Sequence, residues 1–252
     1  MAELIALLDF GSNAARFVFA RVKPGVGFRV LRQERIQTRL GGGPPGTLPR
    51  EAVDDTLRAV RRFLRGVRRD RAESGDERPL RFIAIATAAV RDAANRDRLL
   101  GPLRREEGIE VRVLTGAEEA RLAAFAAMED LPRRFQGVIA DLGGGSLQLT
   151  SVRRGRIAKT ASVPLGTVRM TRRFIRSDPP EPRELRALRA EAVFPGDAQH
   201  LLGVGLRGSE RVIVRQPVDR EVDAVVTRHG REAFQCGVGG HGSLSSRPAG
   251  PA

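Results

Sequence analysis

Residues 4–13 read LIALLDFGSN and residues 137–146 read GVIADLGGGS. Each is an apolar run that ends in Asp-x-Gly and passes into small polar residues. Asp9 and Asp141 stand 132 residues apart. One echo at that distance predicts two related domains and not a solenoid of short repeats. The residues after each copy agree. Arg16 to Val22 and Phe28 to Ile36 alternate like strands around Pro24-Gly25, and Leu147 to Val152 and Arg156 to Val163 alternate around Arg154-Gly155. Each half therefore opens with a meander of three strands whose first turn carries the Asp-x-Gly sequence.

Outward from these turns, Gly41 to Pro49 (GGGPPGTLP) is too rich in glycine and proline for regular structure. Thr47 is expected to start a helix from about 50 to 71, with Val53, Leu57, Val60, Leu64 and Val67 at helical spacing. Phe82 to Ala86 predicts a buried strand, 94–107 a helix, 109–114 a strand and 116–128 a helix. A meander leading into strand–helix alternation is an α/β sandwich with a partly parallel sheet. The domains are expected over 1–130 and 131–205, with 130–136 as the boundary between them. A helix is expected over 184–193, and residues 206–252 form an atypical, poorly ordered tail ending GSLSSRPAGPA.

Composition narrows the function classes. In 252 residues, 41% are hydrophobic and 29% charged, enough for a sizeable core. Cys236 alone cannot make an internal disulfide, and no apolar run nears the roughly 20 residues of a membrane span. Without a basic lead and long apolar stretch at the N-terminus, a cytoplasmic location is expected and no membrane partner. The net charge is +14, and only Lys23 and Lys159 among the 44 basic residues are not arginine. Guanidinium groups bind phosphate bidentately, so non-specific polyanion binding is expected. Tryptophan and tyrosine are absent, which argues against stacking of bases. An arginine-rich nucleic-acid-binding protein stays open as an alternative on charge alone.

Three places can carry chemistry. Gly143, Gly144, Gly145 and Ser146 come after a strand and can turn backbone amides toward an anion, with Asp141 beside them to hold a divalent metal or its water. Asp9, Gly11, Ser12 and Asn13 repeat the device, and two such turns facing each other would grip one phosphate chain. Glu118 and Glu119 open a helix; about 100° apart, one can cap it while the other enters a cleft as general base. Arg91, after a strand, can line the same crevice. Arg153, Arg154, Arg156, Arg169, Arg172, Arg173 and Arg176 can form a basic track toward it. His200, His229, His241 and Cys236 match no metal-ligand spacing.

Five segments in order, LLDFGSNAARF, ATAAVRDAANRDRLL, VLTGAEEARLA, VIADLGGGSLQL and SVPLGTVRMTRRF, resemble the exopolyphosphatase/guanosine pentaphosphate phosphohydrolase family of the actin-like ATPase superfamily. The resemblance implies an α/β fold of two ribonuclease-H-like domains flanking a cleft, the second incomplete here. It implies Glu119 as the general base, and Asp141 as holding Mg²⁺ or orienting the water. Gly143 to Ser146, together with Asp9, Gly11, Ser12 and Asn13, would bind phosphate, and Arg91 would clamp the chain. The implied reaction removes orthophosphate from inorganic polyphosphate or from guanosine pentaphosphate, with a homodimer among the expected assemblies. A catalytically impaired phosphate-chain or nucleotide-binding protein is the alternative within the fold. Two positions depart from the family. Leu201-Leu202-Gly203-Val204-Gly205 begins the family's second glycine segment, and the pattern breaks away from Leu206. Gln148 stands where the family commonly has a glutamate that helps the metal site; the amide keeps one acceptor oxygen and loses the charge. Gln148→Glu is therefore expected to reduce the Mg²⁺ needed for half-maximal activity, and an unchanged metal dependence removes position 148 from the metal site.

Overall fold

The computed structural model of the chain describes residues 2–192, 211–215, 223–228 and 234–239. The segment Leu201 to Gly205 and the three histidines lie outside the described residues. The first half opens with β1 (Glu3–Phe10), β2 (Ala15–Lys23) and β3 (Gly27–Ile36), an antiparallel meander. After α1 (Arg50–Ser74), β4 (Leu80–Ala86) pairs parallel to β1. The short helix α2 (Ala88–Arg91) and α3 (Asp97–Glu107) then lead to β5 (Val111–Val113), parallel to β4. The sheet runs β3-β2-β1-β4-β5.

Strand β1 shows why this sheet forms. Leu4, Ala6, Leu8 and Phe10 are fully buried on one face, as the two-residue period of a strand dictates. They meet the apolar stripe of α1, where Val53, Val60, Phe63, Leu64 and Val67 recur at helical spacing and are buried. Phe63 lies against Phe17 of β2 with ring centroids 5.2 Å apart, and Phe17 meets Phe10 edge-on. Glycine ends α1 at Gly75, whose φ of 60° is the left-handed geometry of a helix C-terminus.

One helix start differs from the sequence pattern, that of α3, and one contact explains it. Asn95 donates from Nδ2 to the Leu48 carbonyl (3.0 Å) and accepts from the Leu48 amide (2.8 Å). This clasp anchors buried Leu48 just ahead of α1, which begins at Arg50 as the pattern predicts, with Pro49 and not Thr47 at its N-cap. It also spends Asn95, so α3 begins at Asp97 and not at 94.

Next come α4 (Gly116–Met128), β6 (Gly137–Leu142), β7 (Leu147–Arg153) and β8 (Arg156–Val163). After them stand α5 (Thr167–Phe174), α6 (Pro182–Ala192), β9 (Arg211–Arg215), β10 (Asp223–Arg228) and β11 (Phe234–Gly239). The second sheet runs β11-β10-β9-β6-β7-β8. It repeats the antiparallel meander in β6 to β8, with β9 parallel to β6 in the place that β4 takes beside β1. The likeness stops there, because β10 is antiparallel to β9 whereas β5 is parallel to β4. Strands β9 to β11 fall within the stretch where the sequence pattern predicts a poorly ordered tail; the remainder of 206–252 lies outside the described residues.

Helix α4 precedes the 130–136 link in sequence yet packs on β6, β7 and β8. Its buried stripe is Ala120, Ala124 and Ala127, small enough to let the helix lie close on the sheet. It meets Phe135, Ile139 and Val152 there. At its start a Cβ on Gly116 would come within 2.6 Å of Ser162 Cβ. The first half of the chain thus reaches over the second sheet. Truncating the fully buried ring at the centre of the first core, Phe63→Ala, is expected to cost about 3–5 kcal/mol, read as a lower urea midpoint at unchanged slope.

Candidate active site

The two Asp-x-Gly turns meet. The turn after β1 (Gly11 to Asn13) and the turn after β6 (Gly143 to Ser146) pack directly on one another. A Cβ on Gly144 would sit 3.3 Å from Asn13 N and Ser12 Cβ, and one on Gly145 would collide with Ser12 Oγ and lie 2.8 Å from Ala88 Cβ. Glycine is needed at 145 because no side chain fits between the halves. Gly166, at the start of α5, closes the third side: a Cβ there would overlap the backbone of Gly145 and Ser146.

Each turn is tied down by its own backbone. Gly11 N donates to Ala14 O (3.2 Å) and Gly143 N to Ser146 O (3.0 Å). Neighbouring loops brace them further. Gly41 N donates to Ser12 O (2.7 Å), Arg39 N to Asn13 O (2.9 Å) and Thr167 N to Gly143 O (2.9 Å). Among the described residues, the amides of Asn13, Gly144 and Gly145 donate to no backbone carbonyl. Such amides in a glycine turn are ready donors to an anion.

Between the turns lies a cavity of about 420 Å³. Of the residues singled out in the sequence, Asp9, Gly11, Ser12, Asn13, Glu119, Asp141, Gly143, Gly144 and Gly145 line it. Arg91, Ser146 and Gln148 do not. Arg91 stands behind the wall: its Nη1 donates to Glu119 Oε2 (3.0 Å) and to Leu114 O (3.1 Å). Gln148 is buried on β7 directly opposite Asp141 of β6. Its Nε2 donates to Ser146 Oγ (2.6 Å), and its Oε1 is buried without a partner among the described residues.

The sequence missed other lining groups. Arg16 and Arg35 sit in the same cross-strand row as Asp9, in register over β1, β2 and β3, and line the cavity with Gln37 and Thr87. The row would have become visible once the meander register was known, since Asp9↔Arg16 and Arg16↔Arg35 are direct pairs. The basic track does not form as one feature. Arg153, Arg154 and Arg156 lie at the end of β7 remote from the glycine turn. Arg172 donates to Gly41 O (3.3 Å) and also contacts Gly43 O, while Arg173 pairs with Glu191 (2.7 Å).

The two glutamates of α4 divide as helical geometry requires. Glu118 completes a capping box, its Oε2 accepting from Thr115 N (2.9 Å) while Thr115 Oγ1 accepts from Glu118 N (3.2 Å). Glu119, one residue on, turns into the cavity. Burial pushes its carboxyl above the ordinary value, Arg91 opposes the shift, and Asp141 and Asp92 add to it. Asp9 is pushed up to about 6, first by burial; Arg16 draws it down, and Glu119 and Asp141 raise it further.

Three carboxylates, from β1, α4 and β6, line the cavity and could attract a cation. Among the described residues no three acidic, histidine or cysteine side chains converge closely enough to cage an ion alone. That suits a cation bound by one or two carboxylates, water and ligand phosphate. The Asp9 shift also has a stability signature. Its carboxyl holds its proton more tightly folded than unfolded, so this group favours the fold below about pH 4, and the contribution is lost as pH rises toward 6. Asp9→Asn is expected to stabilise the metal-free protein at pH 7.5 by about 1–2 kcal/mol and to flatten the pH dependence between about 4 and 6, measured by urea titration.

With the geometry in place, likeness to known proteins is specific. The profile of the Ppx/GppA phosphatase family matches residues 18–208. An uncharacterized protein of Streptomyces coelicolor is 34% identical over 196 residues, covering 73% of this chain and 54% of that protein. Exopolyphosphatase 1 of Mycobacterium leprae is 30% identical over 194 residues, covering 73% of this chain and 53% of that protein. The chain thus spans about half the length of these relatives. The crystal structure of an exopolyphosphatase from Cytophaga hutchinsonii superposes with a TM-score of 0.69 at 24% identity, over 84% of this chain and 66% of that one. The Ppx/GppA family member of Aquifex aeolicus gives 0.55 at 26% identity, over 74% and 59%. The fold is therefore the actin-like one, two ribonuclease-H-like halves about a cleft. By matched length, by identity and by fold, this chain belongs to the Ppx/GppA phosphatase family.

Proposed function

We propose that this protein hydrolyses the terminal phosphoanhydride bond of inorganic polyphosphate and releases orthophosphate. The observation that carries the proposal is Glu119, a half-buried carboxylate held by Arg91 and aimed into a cavity walled by two amide-bearing turns. In this mechanism the amides of Asn13, Gly144 and Gly145 hold the oxygens of the terminal phosphoryl group. Gly145 and Gly166 let three segments pack without a side chain between them, which seats the two turns side by side at the cavity. Glu119 accepts a proton from the attacking water as its oxygen approaches phosphorus, and the P–O bond to the rest of the chain breaks. The raised affinity of Glu119 for protons suits a base that must take one near neutral pH. Phosphoryl transfer to water asks for alignment and charge neutralisation more than for covalent chemistry.

A magnesium ion suits a cavity lined by Asp9, Glu119 and Asp141, where the Asp9 carboxyl is raised to about 6 first by burial and then by the other two carboxylates, against the pull of Arg16. Asp141 and Asp9 would hold the ion, directly or through water. When bound, it offsets the negative charge of the phosphate chain and of the leaving group. Gln148 would act on it at most indirectly, because its amide holds Ser146. Guanosine pentaphosphate offers the same terminal phosphoanhydride and is the second substrate of this proposal. A cytoplasmic setting belongs to the proposal too. Among the described residues no helix is long and apolar enough to cross a membrane.

Phosphate release from long-chain polyphosphate tests the proposal. Glu119→Gln is expected to slow release by about 10²–10⁴-fold while polyphosphate binding is retained. An equal rate in both proteins removes Glu119 as the base. Binding without release by the unaltered chain favours a phosphate-chain-binding protein instead. Equal competition by RNA of matched charge, insensitive to Asp141→Asn, leaves only non-specific electrostatics.

A further inference from the structure

Arg169 of α5 belongs to the second half, yet its guanidinium joins the halves. Its Nε donates to Gly145 O in the glycine turn (2.9 Å), and its Nη2 donates to Asp92 Oδ2 in the first half (2.6 Å). The Arg169 backbone amide also donates to Gly144 O (3.2 Å). Asp92 comes directly after α2, and its other oxygen, Oδ1, lies 3.6 Å from Arg91 Nε. Arg91 in turn holds Glu119 and the Leu114 carbonyl. Charge alternates along this row: Arg169, Asp92, Arg91, Glu119. It runs from the phosphate-facing turn of one half to the carboxylate carried by α4.

Fold stability does not account for the row. Arg169 and Asp92 are 38% and 41% exposed, and ion pairs that open to water contribute little, about 0–1 kcal/mol. Geometry is a better explanation. A guanidinium is a rigid planar fork, so two contacts on different atoms fix its orientation. Arg169 has two such contacts on opposite sides of the cleft, and Arg91 has contacts through Nε and Nη1. With both forks fixed, Arg91 keeps a constant place relative to the glycine turn and orients Glu119, and displacement of about 1 Å in a reacting arrangement can cost 10²-fold in rate.

We propose that the Asp92–Arg169 ion pair is a positioning latch that couples the Gly143–Ser146 turn to Arg91 across the cleft and, through Arg91, orients Glu119. The proposal rests on the hydrolase reading only for its kinetic consequence; the coupling itself is a property of the chain. Hydrogen exchange on the full chain reads the coupling without any activity. The probes are hydrogen-bonded amides on either side: Gly143 and Thr167 in the second half, Arg91 and Asp92 in the first. Asp92→Asn is expected to speed exchange at Gly143 and Thr167, and Arg169→Met at Arg91 and Asp92, each by about tenfold. Arg169→Lys keeps the charge but cannot span both contacts, so it should resemble Arg169→Met.

Kinetically, each single variant should lower kcat about tenfold with KM changed less than twofold, and the double variant should be no worse than either. Exchange that quickens only in the half carrying the substitution overturns the latch. Additive losses in the double variant, or a raised KM at constant kcat, overturn it as well, the latter marking a substrate contact. Cross-cleft exchange effects in a chain that releases no phosphate would sustain the latch and overturn the hydrolase reading instead.

Discussion

Everything at the cleft depends on backbone touching backbone where three segments converge. Gly145 lies against Ser12 and Ala88, and Gly166 lies against Gly145 and Ser146, with no room for a β-carbon at either glycine. Close approach of this kind is what glycine permits and other residues forbid. It sets two amide-bearing turns from opposite halves against one another on the lining of one cavity. Had either position carried a side chain, the halves would stand further apart and the turns would address separate volumes.

Around that contact the charges are sorted by depth. Glu118 is exposed enough to cap its helix and pair with Arg112, whereas Glu119 enters the cavity and is raised by burial. Asp9 is raised further, in a row with Arg16. A buried carboxylate with a raised proton affinity is poor for stability and useful for chemistry, which is the usual trade at a site. The rim carries exposed pairs that contribute little to stability and act through geometry.

The duplicated plan also accounts for where the halves diverge. The meander β6 to β8 and the parallel strand β9 repeat β1 to β4, and there the two Asp-x-Gly turns occupy equivalent places. Beyond β9 the second sheet continues antiparallel, without a counterpart of the β4–α2–α3–β5 passage among the described residues. The turns belong to the repeated part, so the cleft is built before the divergence begins.

Local pattern was sufficient for the elements that alternate or repeat strongly. Both meanders, the long helix α1 with its five-residue apolar stripe, and α4 from Gly116 to Met128 are legible in order and nearly in extent. So are the two turns and the division of labour between Glu118 and Glu119, because 100° per residue is a property of any helix. The start of α3 at Asp97 was not legible, since the Asn95 clasp on Leu48 joins residues 47 apart. Nor was the packing of α4 over the opposite sheet, the row of Asp9, Arg16 and Arg35, or the reach of Arg169 to Asp92. By itself the sequence determined which residues could meet a phosphate and on which kind of turn. The tertiary structure decided which of them share one cavity, because that depends on contacts between segments far apart in the chain, about which local periodicity carries no information.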